Sequence, residues 1–284
     1  LKATITSGQI NQFGGWILKS SNSTLTQAHV ELTLTAELFQ GVGALAQALV
    51  NSNVTQSSSR FHVTQKDLGL GYVTGTKAYV CGIVLNANAS HFNETFALYD
   101  FTQEVNVYTH GIDGFVGETS GGSTYTNSYA KITTNIAADE FDEMSGFSGH
   151  TTDSTFTNIY SDITVNSSST SFPTGASEYH GGITATDDGI ITMKDVFTVS
   201  HVNAADPDYF TVFNRTIANS NSGTDMSSVY YADDTSCIGC GASGNPVPVA
   251  TFYSISNAPL NAWDFTTIWK ENTGAYPTLI NNPE

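Results

Sequence analysis

A knot of glycine and apolar residues returns along this chain roughly every thirty residues, a rhythm that restricts it to repeat architectures. The knots are Gly14-Gly15-Trp16-Ile17, Gly41-Val42-Gly43-Ala44-Leu45, Cys81-Gly82-Ile83-Val84, Gly114-Phe115-Val116-Gly117, Gly146-Phe147-Ser148-Gly149 and Gly181-Gly182-Ile183. A degenerate seventh copy reads Tyr209-Phe210-Thr211-Val212-Phe213. Measured from Gly15, the anchors Gly43, Gly82, Gly114, Gly146 and Gly182 come at steps of 28, 39, 32, 32 and 36 residues. The pattern directs attention away from a catalytic pocket and towards an extended surface.

The segment after each knot fixes the kind of repeat. A polar loop comes first, as in Ser20-Ser21-Asn22-Ser23, then a short β segment, a single Asn or Ser, and a longer alternating strand. His29-Val30-Glu31-Leu32-Thr33-Leu34-Thr35, Ala130-Lys131-Ile132-Thr133-Thr134, Ser161-Asp162-Ile163-Thr164-Val165 and Asp195-Val196-Phe197-Thr198-Val199 all alternate as half-buried strands do. Leu38 to Leu49 is the best helix candidate, but Gly41 and Gly43 interrupt it and its alternation also suits a strand. Three short strands per repeat match one coil of a parallel β-helix, and stacking neighbours supply the burial a single coil lacks. Glycine at the knot lets the chain turn a corner against identical corners above and below. A sandwich or jelly roll gives short strands too, but no reason for the knot to return in register.

Composition narrows the setting. The chain has 9 Lys+Arg against 26 Asp+Glu, a formal charge of −17, which disfavours nucleic acid and anionic membranes. In place of charge it carries 68 Ser+Thr and 22 Asn, a surface typical of secreted bodies. With 39% hydrophobic and 11% aromatic residues it fills a core rather than staying disordered. No apolar stretch reaches the roughly eighteen residues of a membrane span. The opening Leu1-Lys2-Ala3-Thr4 lacks a signal-peptide pattern, and the composition favours one already removed.

Of three cysteines, Cys81 stands in an apolar run and reads as a small buried hydrophobe. Cys237 and Cys240 read first as a local disulfide, with reduced packing cysteines and metal or redox chemistry behind.

The motifs Gly114-Phe115-Val116-Gly117 with Tyr129-Ala130-Lys131-Ile132, and Gly146-Phe147-Ser148-Gly149 with Ile159-Tyr160-Ser161-Asp162-Ile163, resemble GLUG-type repeats of large adhesin-like surface proteins. The C-terminal part is similar to the closing segment of such proteins: Ser228-Val229-Tyr230-Tyr231 with Asp234-Thr235-Ser236, then Trp263-Asp264-Phe265, Ile268-Trp269 and Gly274-Ala275-Tyr276-Pro277-Thr278-Leu279. The likeness covers residues 80 to 280 clearly and 10 to 80 loosely; irregular spacing and Tyr231 in place of the usual tryptophan depart from it. It implies a right-handed parallel β-helix in a secreted or surface protein, usually without catalysis.

The expected architecture is thus all-β, a right-handed parallel β-helix (β-solenoid) of about seven irregular coils over residues 1–244, with a capping segment over 245–284. Trp263, Phe265, Trp269 and Tyr276 are expected to cover the exposed last coil, while Ile5, Ile10 and Phe13 leave the first coil uncapped and suggest assembly.

Chemistry finds little purchase. β-Helical lyases use Ca²⁺-binding aspartates with a basic residue, and the chain has two arginines, Arg60 and Arg215, far apart. Asp187-Asp188-Gly189 superficially resembles the polygalacturonase aspartate pair but lacks its companions and reads as a turn. No cofactor is expected, Ca²⁺ at the acidic runs Asp139–Glu143 or Asp206–Asp208 being the minor option. Sequons fall at Asn22, Asn53, Asn88, Asn93, Asn166 and Asn214, against about five from chance, with Asn214 ranked last because it lies near a strand. The leading expectation is a non-catalytic structural or adhesive protein of a cell surface or extracellular filament, self-associating or bound to other surface proteins. A carbohydrate-binding or carbohydrate-cleaving β-helix is the alternative.

Overall fold

A computed structural model describes residues 1–7, 9–66, 79–104, 109–137, 141–168, 179–204, 213–220, 224–237 and 240–284, and these form an all-β protein with two short 3₁₀ turns. Three parallel sheets carry the chain, which visits them in a fixed order. Each pass has a leading strand, the knot, a trailing strand, a short strand and a long strand. In the third pass these are Tyr79–Cys81, Gly82, Val84–Asn88, His91–Asn93 and Phe96–Gln103. Every strand pairs with its counterparts one pass earlier and later: Phe96–Gln103 lies between Ser58–Gln65 and Thr124–Ile136 in unbroken register. Among the described residues the leading and trailing sheets each hold seven strands. Leu38–Gly43 and Ala46–Val50 are strands, so the helix alternative for this stretch is excluded.

The knots are corners jammed between neighbours. A Cβ added to Gly82 would lie 1.9 Å from the Gly114 carbonyl oxygen, and one on Gly114 would lie 2.1 Å from that of Gly146. Gly82 and Gly114 also face the methyl groups of Ala97 and Ala130 across the interior. Contact on both sides therefore selects glycine at these two corners, without any need for a left-handed backbone. Two sequence assignments shift. In the second pass Ala44, not Gly43, holds the corner, since its N–H donates to the Cys81 carbonyl as Gly82's does to Asp113's. Gly43 instead matches Gly14, a position crowded by the carbonyl three residues on. The seventh corner is Arg215, whose N–H donates to Gly241 O. Residues 209 to 212 of the expected seventh copy lie outside the described residues, and Phe213 belongs to the leading strand.

The other corners are single residues with positive φ: Gln27, Gln56, Glu94, Asn127, Asn158 and Asp195 form one row, at φ between 49° and 55°. The left-handed bend costs a non-glycine residue some energy, which the short side chains of Asn127, Asn158 and Asp195 reduce. Serines beside the bends satisfy backbone donors of the preceding pass: Ala28 N donates to Ser57 Oγ (3.1 Å) and Thr95 N to Ser128 Oγ (3.2 Å).

Register places like on like inside. Phe92, Tyr125 and Phe156 stack at 5.0 and 5.1 Å, and Phe115 on Phe147 at 4.5 Å. Strand spacing of about 4.8 Å sets these separations, so a repeated ring is automatically a stacked ring.

Candidate functional surface

The outer face of the long sheet is the largest patterned surface. Its side chains form four ranks, each crossing the passes. The first rank runs Ser58, Phe96, Tyr129, Tyr160, Phe197, Tyr230. The second mixes charge and apolar groups: Lys2, Glu31, Arg60, Leu98, Lys131, Asp162, Val199. The third is Thr4, Thr33, His62, Asp100, Thr133, Thr164, His201, with His62 Nδ1 2.9 Å from Asp100 Oδ2. The fourth carries no charge: Thr6, Thr35, Thr64, Thr102, Asn135, Asn166, Asn203.

The C-terminal segment lies across the first rank as a strap. Phe96, Tyr129, Tyr160 and Phe197 stack at 5.0, 4.7 and 4.8 Å, and Phe252 continues the column at 4.2 Å. Trp269 is fully buried against Tyr129 and Tyr160, and Trp263 lies over Phe197 with its indole N–H donating to Asp195 O (3.1 Å). Phe265 and Tyr276 are half-buried in the same cluster. The strap continues back to early passes, where Asn282 Nδ2 donates to Ser57 O (2.8 Å) and Glu94 O (3.0 Å). Glu284 accepts from Tyr129 Oη at 2.9 Å and pairs with Lys131. The expected end cap is thus corrected: these aromatic residues cover the flank. Near the last corner the Cys237–Cys240 disulfide is formed, and Cys237 joins the main core. Arg215 ties the preceding turn to that corner, donating to Ala232 O, Thr235 Oγ1 and Cys237 O at 2.5 to 2.6 Å.

The opposite end differs. Leu1, Trp16 and Leu18 are 56%, 53% and 52% exposed, and the inward-facing Ala3, Ile5, Phe13, Ile17 and Leu25 are covered on one side only.

Among the described residues, buried ionisable groups meet at Asp113. Asp113 is fully buried, accepting from Ser145 Oγ (2.7 Å) and facing the Cys81 thiol (3.8 Å). Burial, then the charge of Glu143, raises its pKa well above the carboxylate range, and burial likewise keeps the Cys81 thiol protonated. Glu143 is the member of the acidic run whose side chain is described, and it turns into this site; Asp139, Glu140, Asp206 and Asp208 lie outside the described residues. Asp187 and Asp188 point apart: Asp187 is buried and accepts from Thr224 Oγ1 (2.9 Å), while exposed Asp188 accepts from His150 Nε2 (2.6 Å). Among the described residues no group of three or more His, Cys, Asp and Glu is placed to hold a metal ion.

The sequons divide. Asn22, Asn53 and Asn88 are exposed along one edge of the first three passes. Asn93 accepts from Asn127, Asn166 is held between Asn135 and Asn203, and Asn214 accepts from Thr216. Sequence reading missed the uncharged fourth rank, although its signal was present as a Thr or Asn at the same place in every long strand. Among the described residues no helix is long and apolar enough to cross a membrane. No family model matches the chain, and no curated protein matches it by sequence.

Proposed function

We propose that the chain is a right-handed parallel β-helix acting as a secreted, non-catalytic structural or adhesive unit of a cell surface or extracellular filament. The observation that carries this reading is the in-register stack itself: seven corner positions, from Gly15 to Arg215, each joined to the next through backbone hydrogen bonds. Such a stack commits its inward side chains to packing and leaves its outward ones as a long, regular surface. A Ser/Thr/Asn-rich exterior and a formal charge of −17 keep it soluble and suit work outside the cell. Self-association, or binding to other surface proteins, is the contact expected of such a unit.

Electron microscopy of native material, with analytical ultracentrifugation of the purified chain, tests this. The expected result is rods or filaments on cell surfaces and concentration-dependent association. A compact intracellular monomer that turns over a polysaccharide, with turnover abolished in Asp188→Asn, would replace the reading with the enzymatic one.

A further inference from the structure

We propose that the open half of the long sheet's outer face binds an uncharged polysaccharide laid along the stack. This rests on the adhesive reading above and names its ligand. The strap covers the first rank and reaches the second at Leu98 and Val199, and among the described residues it leaves the third and fourth ranks partly or fully exposed. The fourth presents only hydroxyls and amides from Thr6 to Asn203, one per strand at about 4.8 Å intervals.

Its amides are already oriented. Asn135 Nδ2 donates to Thr102 Oγ1 (3.4 Å), Asn166 Nδ2 to Asn135 Oδ1 (3.1 Å) and Asn203 Nδ2 to Asn166 Oδ1 (3.0 Å). An amide has two donors and two acceptor sites, so each ladder member keeps capacity for an outside partner. Side chains locked before binding lose little entropy when a ligand arrives. Beside the ladder runs a cleft of about 300 Å³, where the amides of Gln103, Asn135, Asn166 and Asn203 and the hydroxyls of Ser167 and Ser168 surround a small apolar floor of Ile136 and Ala137.

Complementarity selects the ligand class. A polyanion meets a protein of charge −17 and a rank without a single cation. An apolar peptide finds no apolar side chain in that rank. A linear, uncharged polyol offers hydroxyls that donate and accept along a line, matching the rank partner for partner.

Affinity electrophoresis through gels containing dextran, mannan or a β-glucan, with polygalacturonate as the charged control, tests the assignment. At least one neutral polymer is expected to retard the protein, and the triple variant Thr35→Val, Thr64→Val, Asn203→Ala to weaken that at least tenfold at an unchanged thermal midpoint. Should the triple variant melt early, Asn203→Ala alone carries the comparison and is expected to weaken retardation severalfold. No retardation by any neutral polymer, retardation by polygalacturonate alone, or variants that bind like the parent would overturn it. Reducing-end release, assayed in parallel, separates the two readings: release sinks the non-catalytic function and leaves the binding surface standing, whereas filaments without polymer binding sink the surface alone.

Discussion

One sheet face carries two regions that share strands, spacing and twist but differ in what covers them. At the start of the long strands, Phe96, Tyr129, Tyr160 and Phe197 form a buried column beneath the strap. At the end of the same strands, Thr64, Thr102, Asn135 and Asn166 form an uncovered row. The backbone lays down a ladder in both places, and the repeated side chain alone decides whether that ladder becomes core or surface. Stacked rings remove apolar area from water and demand a cover, while stacked hydroxyls and amides stay hydrated.

The contrast breaks if the two halves respond alike to substitution. Trp269→Ala, which empties the space over Tyr129 and Tyr160, is expected to cost about 3–5 kcal/mol in chemical denaturation. Acid acts next, on the interior that both halves share. Burial lowers the His180 pKa from 6.5 to about 3. Between those values the unfolded chain holds a proton that the fold refuses. Stability therefore falls as pH drops, by up to about 1.4 kcal/mol per unit, and His180→Phe is expected to flatten that slope. Asp113 works in the opposite sense: its raised pKa stabilises at low pH and that contribution fades as pH rises, so Asp113→Asn isolates it. Asn282→Ala strips donors from the Ser57 and Glu94 carbonyls and is expected to cost about 1–3 kcal/mol, read from the shift in the denaturant midpoint. Smallest is Thr35→Val with Thr64→Val on the open half, expected within about 0.5 kcal/mol of the parent by calorimetry. A large loss there would show that the open row is structural.

The repeat and its β character were legible because sterics, not chance, placed the glycines. The register slipped by one at Gly43 for the same reason. Two adjacent corner positions are crowded, one by a neighbouring pass and one by the carbonyl three residues on, and both ask for glycine. At the seventh corner the demand lapses, because no further knot lies above Arg215, and an arginine stands where no glycine signal could mark it. The destination of the aromatic tail was misread although its partners were visible. Phe96, Tyr129, Tyr160 and Phe197 sit at one phase of the alternation, outward, and outward rings require something to lie on them. The Asp113–Glu143 pair was illegible, since thirty residues of sequence separate groups that register brings together.

The strap changes how this molecule comes apart. A stack held only by adjacent layers melts from its ends inward, one layer at a time, like any one-dimensional array. Asn282 touches a carbonyl 225 residues earlier and spans the second and third layers, and the rings of Trp263, Trp269 and Tyr276 lie on the fourth to the sixth. Those layers cannot separate one by one without first releasing the tail, so they open together or not at all. The amides of the layers the strap joins should therefore exchange with solvent at one common rate rather than in a graded series.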